Sequence, residues 1–116
     1  MFFQKTADIP TQEIAPGFTA RFIHTEQLTI GYVNIKAGSV LPEHSHVHEQ
    51  VTHVLEGRLE LTIDGVAGVV EPGTVAVIPS GIRHSGRALT DCLALDVFNP
   101  VRDDYKRVMQ PDAVPE

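Results

Sequence analysis

The sequence predicts an all-β domain, a double-sheet jelly-roll β-barrel, followed by a short C-terminal helix. Short runs rich in valine, isoleucine, leucine and threonine recur about every 8–12 residues, which is typical of a sandwich or barrel of strands. The 9 glycines and 8 prolines are spread between these runs, where turns between strands need them. About eight to ten strands in a chain of 116 residues fit the two packed sheets of a jelly roll.

The composition indicates one domain with an ordinary core and excludes several classes of protein. Domains usually contain about 100–200 residues, and 42% of this chain is apolar. Cys92 is the only cysteine, which excludes an internal disulfide framework and a cysteine-rich zinc site. The net charge of −6, without a run of lysines or arginines, argues against a nucleic-acid partner.

The sequence pattern predicts neither a membrane span nor a secretion signal. No apolar run approaches the roughly 18 residues of a spanning helix, so we expect no membrane partner. The N-terminal segment MFFQKTADIP lacks the basic start and the long apolar stretch of a secretion signal. We therefore expect a cytoplasmic protein.

Alternating apolar and polar residues, together with turn residues, locate the first strands. Residues 1–16, interrupted by Pro10 and Pro16, are expected to form an irregular lead-in or an edge strand. Residues 40–50 lead through the histidine-rich segment without a predicted strand. The strands on either side are predicted over residues 18–24, 28–35 and 51–55.

A hairpin and three more strands complete the predicted barrel. Residues 58–63 alternate strictly, an Asp-Gly pair follows, and residues 66–70 return. Asp-Gly between such runs is among the strongest signals for a hairpin. The remaining strands are predicted over residues 74–78, 84–89 and 92–98.

Beyond Pro100 the pattern changes to that of a short helix over residues 101–109. Its first turn holds Asp103 and Asp104, where the helix dipole favours acids. The tail that follows is expected to be loose. The predicted divisions of the chain are a lead-in over 1–16, a barrel over 17–100, and a helix with a tail over 101–116.

Three of the 6 histidines lie close together, at His44, His46 and His48. Residues i and i+2 of a strand share a face, so His44 and His46 can point the same way and hold one metal ion. Neutral imidazole nitrogen is a good ligand for zinc, copper, iron and nickel. The alternative is a solvated run of histidines on an exposed face, and this spacing alone leaves both interpretations open.

Two longer motifs favour the metal interpretation. The first follows the pattern G-x5-H-x-H-x3-4-E-x6-G with Gly38, His44, His46, Gln50 and Gly57, so that glutamine replaces the acid. The second follows G-x5-P-x-G-x2-H-x3-N with Gly73, Pro79, Gly81 and His84, and Ala88 replaces the asparagine. These spacings resemble those of the cupins. The resemblance implies a jelly-roll β-barrel around one divalent metal ion (Zn, Ni, Fe or Mn) held by His44, His46, Gln50 and His84.

The glutamine in the acid position has a chemical consequence. Three neutral histidines and a neutral glutamine would leave the full two-plus charge on the metal. Such a site attracts an anion, for example a carboxylate, and acidifies a bound water. Glu49 and His48 remain open as alternative ligands at this point.

Longer strings along most of the chain resemble a narrower group of cupins. They are MFF at the N-terminus, HSHVHEQVTHVLEG over 44–57, IPSGIRHSG over 78–86 and LDVFNPVRDDY over 95–105. They are similar to the small KdgF-type cupins of pectin and alginate breakdown, which linearise unsaturated monouronates. The resemblance implies that Asp96, Phe98 and Arg102 belong to the active site.

The same three residues have structural alternatives. Asp96 and Phe98 share a face of an apolar strand, and a lone carboxylate there costs free energy unless it is paired. Asp96 either pairs with a backbone amide or an arginine, or moves protons beside the metal with a raised pKa. Phe98 is either core or an apolar wall against a sugar ring. Arg102 either pairs with Asp103 or Asp104, or binds a substrate carboxylate through two parallel hydrogen bonds.

The function implied by the resemblance is ring opening of a 4,5-unsaturated uronate monosaccharide to a linear 4-deoxy-5-keto uronate, without a redox change. The metal would act as a Lewis acid, Asp96 would move protons and Arg102 would orient the substrate. Two other classes stay open, which are another metal-dependent cupin enzyme (an oxygenase or isomerase of small carboxylates) and a non-catalytic sugar-acid binder. A homodimer is expected to form through exposed sheet edges, with residues 1–10 crossing between subunits.

Overall fold

Short strands alternate with tight turns along the chain in the computed structural model, which describes residues 2–109. A 3-10 turn over Thr6–Asp8 precedes the strands, and a helix, α1 (Asp103–Met109), follows them. No helix within this range is long and apolar enough to cross a membrane. The strands of this part of the chain are β1 (Gln12–Ala15), β2 (Phe18–His24), β3 (Thr29–Ile35), β4 (Val40–His44), β5 (Glu49–Glu56), β6 (Leu59–Ile63), β7 (Val66–Val70), β8 (Val75–Ile78), β9 (His84–Ala88) and β10 (Cys92–Asn99).

The strands form two antiparallel sheets. One sheet has six strands in the order β1-β2-β3-β10-β5-β8, and the other has four in the order β4-β9-β6-β7. Neighbours such as β3 with β10, and β4 with β9, lie far apart in the chain. The predicted all-β, double-sheet jelly roll with a short C-terminal helix is confirmed.

The hydrophobic core lies between the inward faces of the two sheets. Phe18 and Phe22 of β2 alternate with less buried neighbours, as do Leu59 and Leu61 of β6. Fully burying a side chain of this size contributes about 1.5–3 kcal/mol. The apolar positions of the alternating strands therefore hold the two sheets together.

The inward faces of β5 and β10 change from apolar to polar along their length. Val54 and Ala94 face each other in the core. Two residues further along each strand, Thr52 is paired with Asp96, and beyond them Gln50 is paired with Phe98. The middle of the larger sheet thus carries polar side chains from the core towards one end of the barrel.

The predicted hairpin joins β6 to β7. Asp64 and Gly65 have φ values of 51° and 81°, as the two central residues of a type I′ turn require. Ile63 and Val66 pair directly across the turn, so the strict alternation of β6 is kept in register with β7.

Two strand boundaries differ from the prediction in a way that affects the histidine segment. Residues 40–44 form β4 because they pair with β9, and β5 begins at Glu49 rather than at residue 51 because it lies between β10 and β8. His46 consequently lies outside any strand. The helix begins at Asp103 rather than at residue 101. The tail predicted over residues 110–116 lies outside the described residues.

Candidate metal centre and active-site cavity

Three histidines converge at the end of the smaller sheet. His44 ends β4 and His84 begins β9, and the two residues pair directly across these strands with ring centroids 4.2 Å apart. The ring of His46 lies 5.6 Å from that of His44 and 4.9 Å from that of His84. One nitrogen from each ring lies within 4.8 Å of the others, which is close enough for one ion to contact all three.

Backbone carbonyls fix the orientation of each ring. A carbonyl oxygen only accepts, so the Nδ1 atom that contacts it carries the proton, and Nε2 keeps its lone pair. The three bonds run from His44 Nδ1 to the Pro42 oxygen at 2.8 Å, from His46 Nδ1 to the His48 oxygen at 2.9 Å, and from His84 Nδ1 to the Ile82 oxygen at 2.9 Å.

Electrostatics also keep the buried rings neutral. Burial, followed by the positive charge of Arg102, lowers the pKa of His46 from 6.5 to about 4. Burial likewise lowers the pKa of His84. A metal ion binds only the unprotonated imidazole, so these shifts leave the Nε2 atoms ready to ligate at neutral pH.

Gln50 adds a fourth acceptor to this group. Its amide nitrogen donates to Thr52 Oγ1 at 2.9 Å and to Asp96 Oδ1 at 3.3 Å. Those bonds turn the amide oxygen towards His46 Nε2, 3.2 Å away. Both of these facing atoms are acceptors, so no hydrogen lies between them and they repel each other unless a cation lies close to both.

The donor set fits a divalent metal ion. Among the described residues, the buried His84 Nε2 has no hydrogen-bond partner, which a metal would supply. At metal–nitrogen and metal–oxygen distances of about 2.0–2.2 Å, neighbouring ligand atoms lie roughly 3–3.5 Å apart, which agrees with the contact between His46 and Gln50. Glu49 is exposed, and neither it nor His48 joins the histidine cluster.

Asp96 lies beside this set on β10. Its Oδ1 accepts from Thr52 Oγ1 at 2.6 Å and from Gln50 Nε2 at 3.3 Å, whereas no described residue donates to Oδ2. The sequence offered a backbone amide or an arginine as the partner of Asp96, whereas its partners in the structure are the hydroxyl of Thr52 and the side-chain amide of Gln50. Burial raises the pKa of Asp96 from 3.8 to about 6, against the opposing effects of these hydrogen bonds and of Arg102.

Arg102 approaches the same site from the segment between β10 and α1. Its Nε and Nη2 donate to the two carboxylate oxygens of Asp104 at 3.0 and 2.8 Å. Its Cζ lies 4.7 Å from the centre of the Phe98 ring and 4.0 Å from that of Tyr105. Of the two acids that the sequence offered as its partner, Asp104 forms the ion pair.

One cavity of about 180 Å³ joins these groups. Its apolar lining comes from the barrel core, including Phe22, Leu61 and Ile78. Its polar lining includes a carboxyl, a guanidinium and three imidazoles. The sequence-predicted site residues that line it are His44, His46, Gln50, His84, Asp96, Phe98 and Arg102.

The chain matches the Cupin domain family over residues 31–98. It is a cupin. The matched range contains the three histidines, Gln50 and Asp96, so the family motif and the convergent donor atoms coincide in this structure.

Known proteins similar to this cupin include two named KdgF. The structure of KdgF from Halomonas sp. is 31% identical, covers 89% of this chain and 96% of that chain, and has a TM-score of 0.83. The pectin degradation protein KdgF of Dickeya dadantii is 24% identical over 101 residues, which are 84% of this chain and 92% of that protein. An RmlC-like cupin from Shewanella frigidimarina is 24% identical and covers 90% of this chain and 96% of its own, with a TM-score of 0.85, which shows the likeness of the fold. The predicted resemblance to cupins of the KdgF type is confirmed.

Two cavity residues of this cupin escaped the sequence interpretation. Thr52 hydrogen-bonds both Gln50 and Asp96, and its position two residues after Gln50 on one strand was the available signal. Tyr105 contacts the Arg102 guanidinium, and its position three residues later is a spacing that brings side chains together at a helix start. Both residues lie within the strings over 44–57 and 95–105 that resemble KdgF-type cupins, but the sequence assigned them no role because each acts on a neighbouring side chain.

Proposed function

We propose that this cupin is a metal-dependent enzyme that opens the ring of 4,5-unsaturated uronate monosaccharides to give linear 4-deoxy-5-keto uronates. The observation that carries the proposal is that a carboxyl, Asp96, and a guanidinium, Arg102, line one small cavity with a charge-neutral set of metal ligands. The likeness to KdgF of Halomonas and to the pectin degradation protein KdgF of Dickeya supports it.

The size of the cavity limits the substrate. Pockets for drug-sized ligands measure about 300–1,000 Å³, and this cavity measures about 180 Å³. It suits one monosaccharide and not a polymer. The enzyme would therefore act on the end products of chain cleavage rather than on the polysaccharide.

The charge of the cavity favours an anion. The ligand set of three histidines and Gln50 contributes no negative charge to a bound metal, and the Arg102 guanidinium adds hydrogen-bond donors for a carboxylate. When bound, a divalent metal ion would stabilise negative charge on a substrate oxygen as a Lewis acid. No electron is transferred in the reaction, so Zn, Ni, Fe and Mn are all suitable.

The reaction is an isomerisation whose atoms and electrons balance. The anomeric hydroxyl loses its proton and becomes the aldehyde oxygen as the bond from C1 to the ring oxygen breaks. The ring oxygen becomes the ketone at C5, and the electrons of the C4–C5 double bond take up a proton at C4. The chain therefore has to remove one proton and deliver one proton.

Asp96 is the group in the cavity suited to both transfers. Its Oδ1 is held by Thr52 and Gln50, while Oδ2 accepts from no described residue. In the proposed reaction, Oδ2 takes the proton of the anomeric hydroxyl and returns a proton to C4. Arg102 binds the substrate carboxylate, and Phe98 forms an apolar wall against the sugar ring.

The decisive assay follows the loss of ultraviolet absorbance of a 4,5-unsaturated monouronate, since the enol ether disappears on ring opening. Wild type should exceed the rate in buffer. Asp96→Asn should fall by about 10²–10⁴-fold, the usual contribution of a positioned acid–base group. Asp103→Asn makes the same substitution at an exposed position outside the cavity and should keep the wild-type rate.

Chelation should abolish the acceleration, and re-addition of Zn²⁺, Ni²⁺ or Mn²⁺ should restore it. A wild-type protein no faster than buffer would contradict the proposed reaction. Oxygen uptake would then indicate an oxygenase, and binding without turnover would indicate a sugar-acid binder.

A further inference from the structure

Asp104 holds one defined edge of the Arg102 guanidinium. The Nε and Nη2 atoms both donate to its carboxylate, at 3.0 and 2.8 Å, so the pair is a side-on fork. The other edge, formed by Nη1 and the second hydrogen of Nη2, has no carboxylate partner among the described residues. A guanidinium can bind two carboxylates in this way because its edges are separate pairs of donors.

The rest of Arg102 is also held. Its backbone nitrogen donates to the buried Thr29 Oγ1 at 2.8 Å. Its Cζ lies over both Phe98 and Tyr105, whose rings are 6.0 Å apart and nearly perpendicular at 74°, so the guanidinium occupies the corner between two ring faces. Contact with an aromatic face limits its tilt, but the rotation of the fork in its own plane depends on Asp104.

We propose that Asp104 is a positioning residue that aims the free Nη1–Nη2 edge of Arg102 at the substrate carboxylate, and so makes the cavity selective for a uronate over a neutral sugar. The inference rests on the proposed function for the identity of the substrate. Asp104 lies outside the metal-ligand set, yet through Arg102 it determines how the sugar ring is oriented.

Asp104 also balances the charge of Arg102. With this partner in place, the pair carries little net charge, so recognition of a carboxylate depends on two parallel hydrogen bonds more than on attraction at a distance. Removal of the negative charge by Asp104→Asn would strengthen the attraction and weaken the orientation. Because the preference for an acid depends on the two parallel hydrogen bonds, the KM of this variant for a uronate should rise about 3–10-fold, while kcat falls about 10–100-fold, as for a substrate misplaced by about 1 Å.

Asp103 supplies the matched control. It lies in the same helical turn and carries the same charge, but it is exposed and forms no ion pair among the described residues. Asp103→Asn removes the same interaction with the helix dipole and should leave both kcat and KM unchanged. Asp104→Glu keeps a two-oxygen acceptor and should recover most of the kcat that Asp104→Asn loses.

A measurement that does not need turnover tests the aim of the guanidinium directly. In ¹⁵N NMR spectra, the Arg102 Nε–H of wild type should be resolved and slow to exchange because Asp104 accepts its hydrogen. Asp104→Asn should speed this exchange at least about 10-fold, whereas Asp103→Asn should not. D-galacturonate and D-galactose serve as unreactive probes in the same spectra. The ratio of the affinity for D-galacturonate to the affinity for D-galactose should be larger in wild type than in Asp104→Asn.

The outcomes separate the two proposals. If wild type leaves unsaturated uronates unchanged but the exchange and probe results hold, the proposed reaction fails and the role of Asp104 stands. If Asp104→Asn matches Asp103→Asn in exchange, in probe preference and in the ratio of kcat to KM, the role of Asp104 is overturned. If Asp104→Asn does not fold, Asp104→Glu is compared with wild type instead. A hydrogen exchange rate of Arg102 Nε–H equal to that of wild type would support the role of the carboxylate, and a fast exchange would contradict it.

Discussion

The amide of Gln50 connects the metal ligands to the carboxyl of Asp96. Its oxygen faces the histidines and its nitrogen donates towards Asp96 and Thr52. A glutamate at this position has no hydrogen to donate, so the two roles of the side chain depend on its being an amide. At the residue scale, the glutamine of this cupin therefore positions the carboxyl, and as a proposed ligand it would also set the charge of a metal centre.

Gln50→Glu tests this dual role. The variant should keep its metal, because three histidines and a carboxylate are still available. Its turnover should fall, because two carboxylates would lie within about 3.5 Å and repel each other. Metal content measured by elemental analysis, beside the ultraviolet assay, checks both effects. A variant with unchanged turnover would show that the amide hydrogen bond to Asp96 is dispensable.

Thr52→Val removes the hydroxyl that donates to Asp96 at 2.6 Å. Thr52 is buried with 2% exposure, so its partners lose a hydrogen bond that water cannot easily replace. We expect a loss of about 1–3 kcal/mol in the free energy of unfolding, measured by urea denaturation. Thr62→Val on β6, whose hydroxyl has no partner among the described residues, should cost less than about 0.5 kcal/mol. Equal losses in both variants would contradict the role assigned to Thr52.

At the element scale, contacts among β2, β3 and α1 fix the position of the Arg102 guanidinium. Gly31 on β3 pairs with Phe22 on β2 and with Asp96 on β10. The Phe22 ring stacks on Tyr105 of α1 at 4.4 Å, and Tyr105 in turn lies under Arg102. The short helix is thus docked onto the barrel through an aromatic contact that a side chain at position 31 would disturb.

Gly31→Ala should displace this stack. A Cβ at position 31 would lie 2.7 Å from the Phe22 ring, so the ring has to move. Overpacking of this kind costs about 1–3 kcal/mol, and we also expect weaker binding of D-galacturonate because Tyr105 moves with Phe22. Gly68→Ala on β7, where no atom lies within 4 Å of the new Cβ, should leave stability and binding unchanged. Urea unfolding measures the stability, and NMR titration measures the binding of D-galacturonate. If Gly31→Ala changed neither, the contact between Phe22 and Tyr105 would not be what docks the helix onto the barrel.

At the scale of the whole molecule, a metal ion held by the proposed ligands would join both sheets. His44 and His84 belong to the four-stranded sheet, Gln50 to the six-stranded sheet, and His46 to the segment between them. A ligand that binds only the folded state stabilises it by mass action. Metal binding should therefore stabilise the whole barrel, not only the site.

Addition of Zn²⁺ to chelator-treated protein should raise its thermal midpoint. At a free concentration 100-fold above Kd, the expected stabilisation is about 2.7 kcal/mol, measured by calorimetry. His84→Ala should lose this response because it removes one of the three imidazoles. His53→Ala alters an exposed histidine outside the cluster and should respond like wild type. The same response in His84→Ala as in wild type would contradict the metal centre.

The outer faces of the two sheets differ in a way that bears on the expected homodimer. On the four-stranded sheet, Glu60 pairs with Arg87 on the outside. The six-stranded sheet instead carries an apolar row across β2, β3, β10, β5 and β8, with Arg21 and Glu49 two residues away from it on the same face. Its members, by pairing register, are Ile23, Ile30, Val97, Val51 and Val77.

We propose that a second copy of the chain covers this face, rather than pairing through the sheet edges expected from the sequence. Contiguous apolar surface marks interaction sites, and a row without charged side chains lets two acidic chains approach. Val77→Glu should shift the protein from twice the chain mass to the chain mass in sedimentation or light scattering. Val66→Glu, at a valine of comparable exposure on β7 (71% against 58%), should leave the mass unchanged. A wild-type monomer would contradict the proposal.

The class of fold and most of the candidate site residues could be predicted from the sequence alone. Alternation with a period of two, the Asp-Gly turn and the spacing of glycines and prolines are local properties, and they specify strands and hairpins wherever a chain folds into sheets. The histidine motifs and the strand that carries Asp96 and Phe98 are also local, so these residues could be proposed before the fold was known, whereas the roles of Thr52, Tyr105 and Asp104 could not.

The way in which these residues meet depends on the tertiary structure. His44 faces His84 because β4 pairs with β9, about forty residues away in the chain, and not because His44 and His46 share a strand face. The amide of Gln50 is oriented by Thr52 and Asp96 across the β5–β10 pairing, and Arg102 is held by an aromatic corner that two elements form. Local patterns specify which face a residue occupies, whereas the partner opposite that face depends on pairings between strands that are distant in sequence.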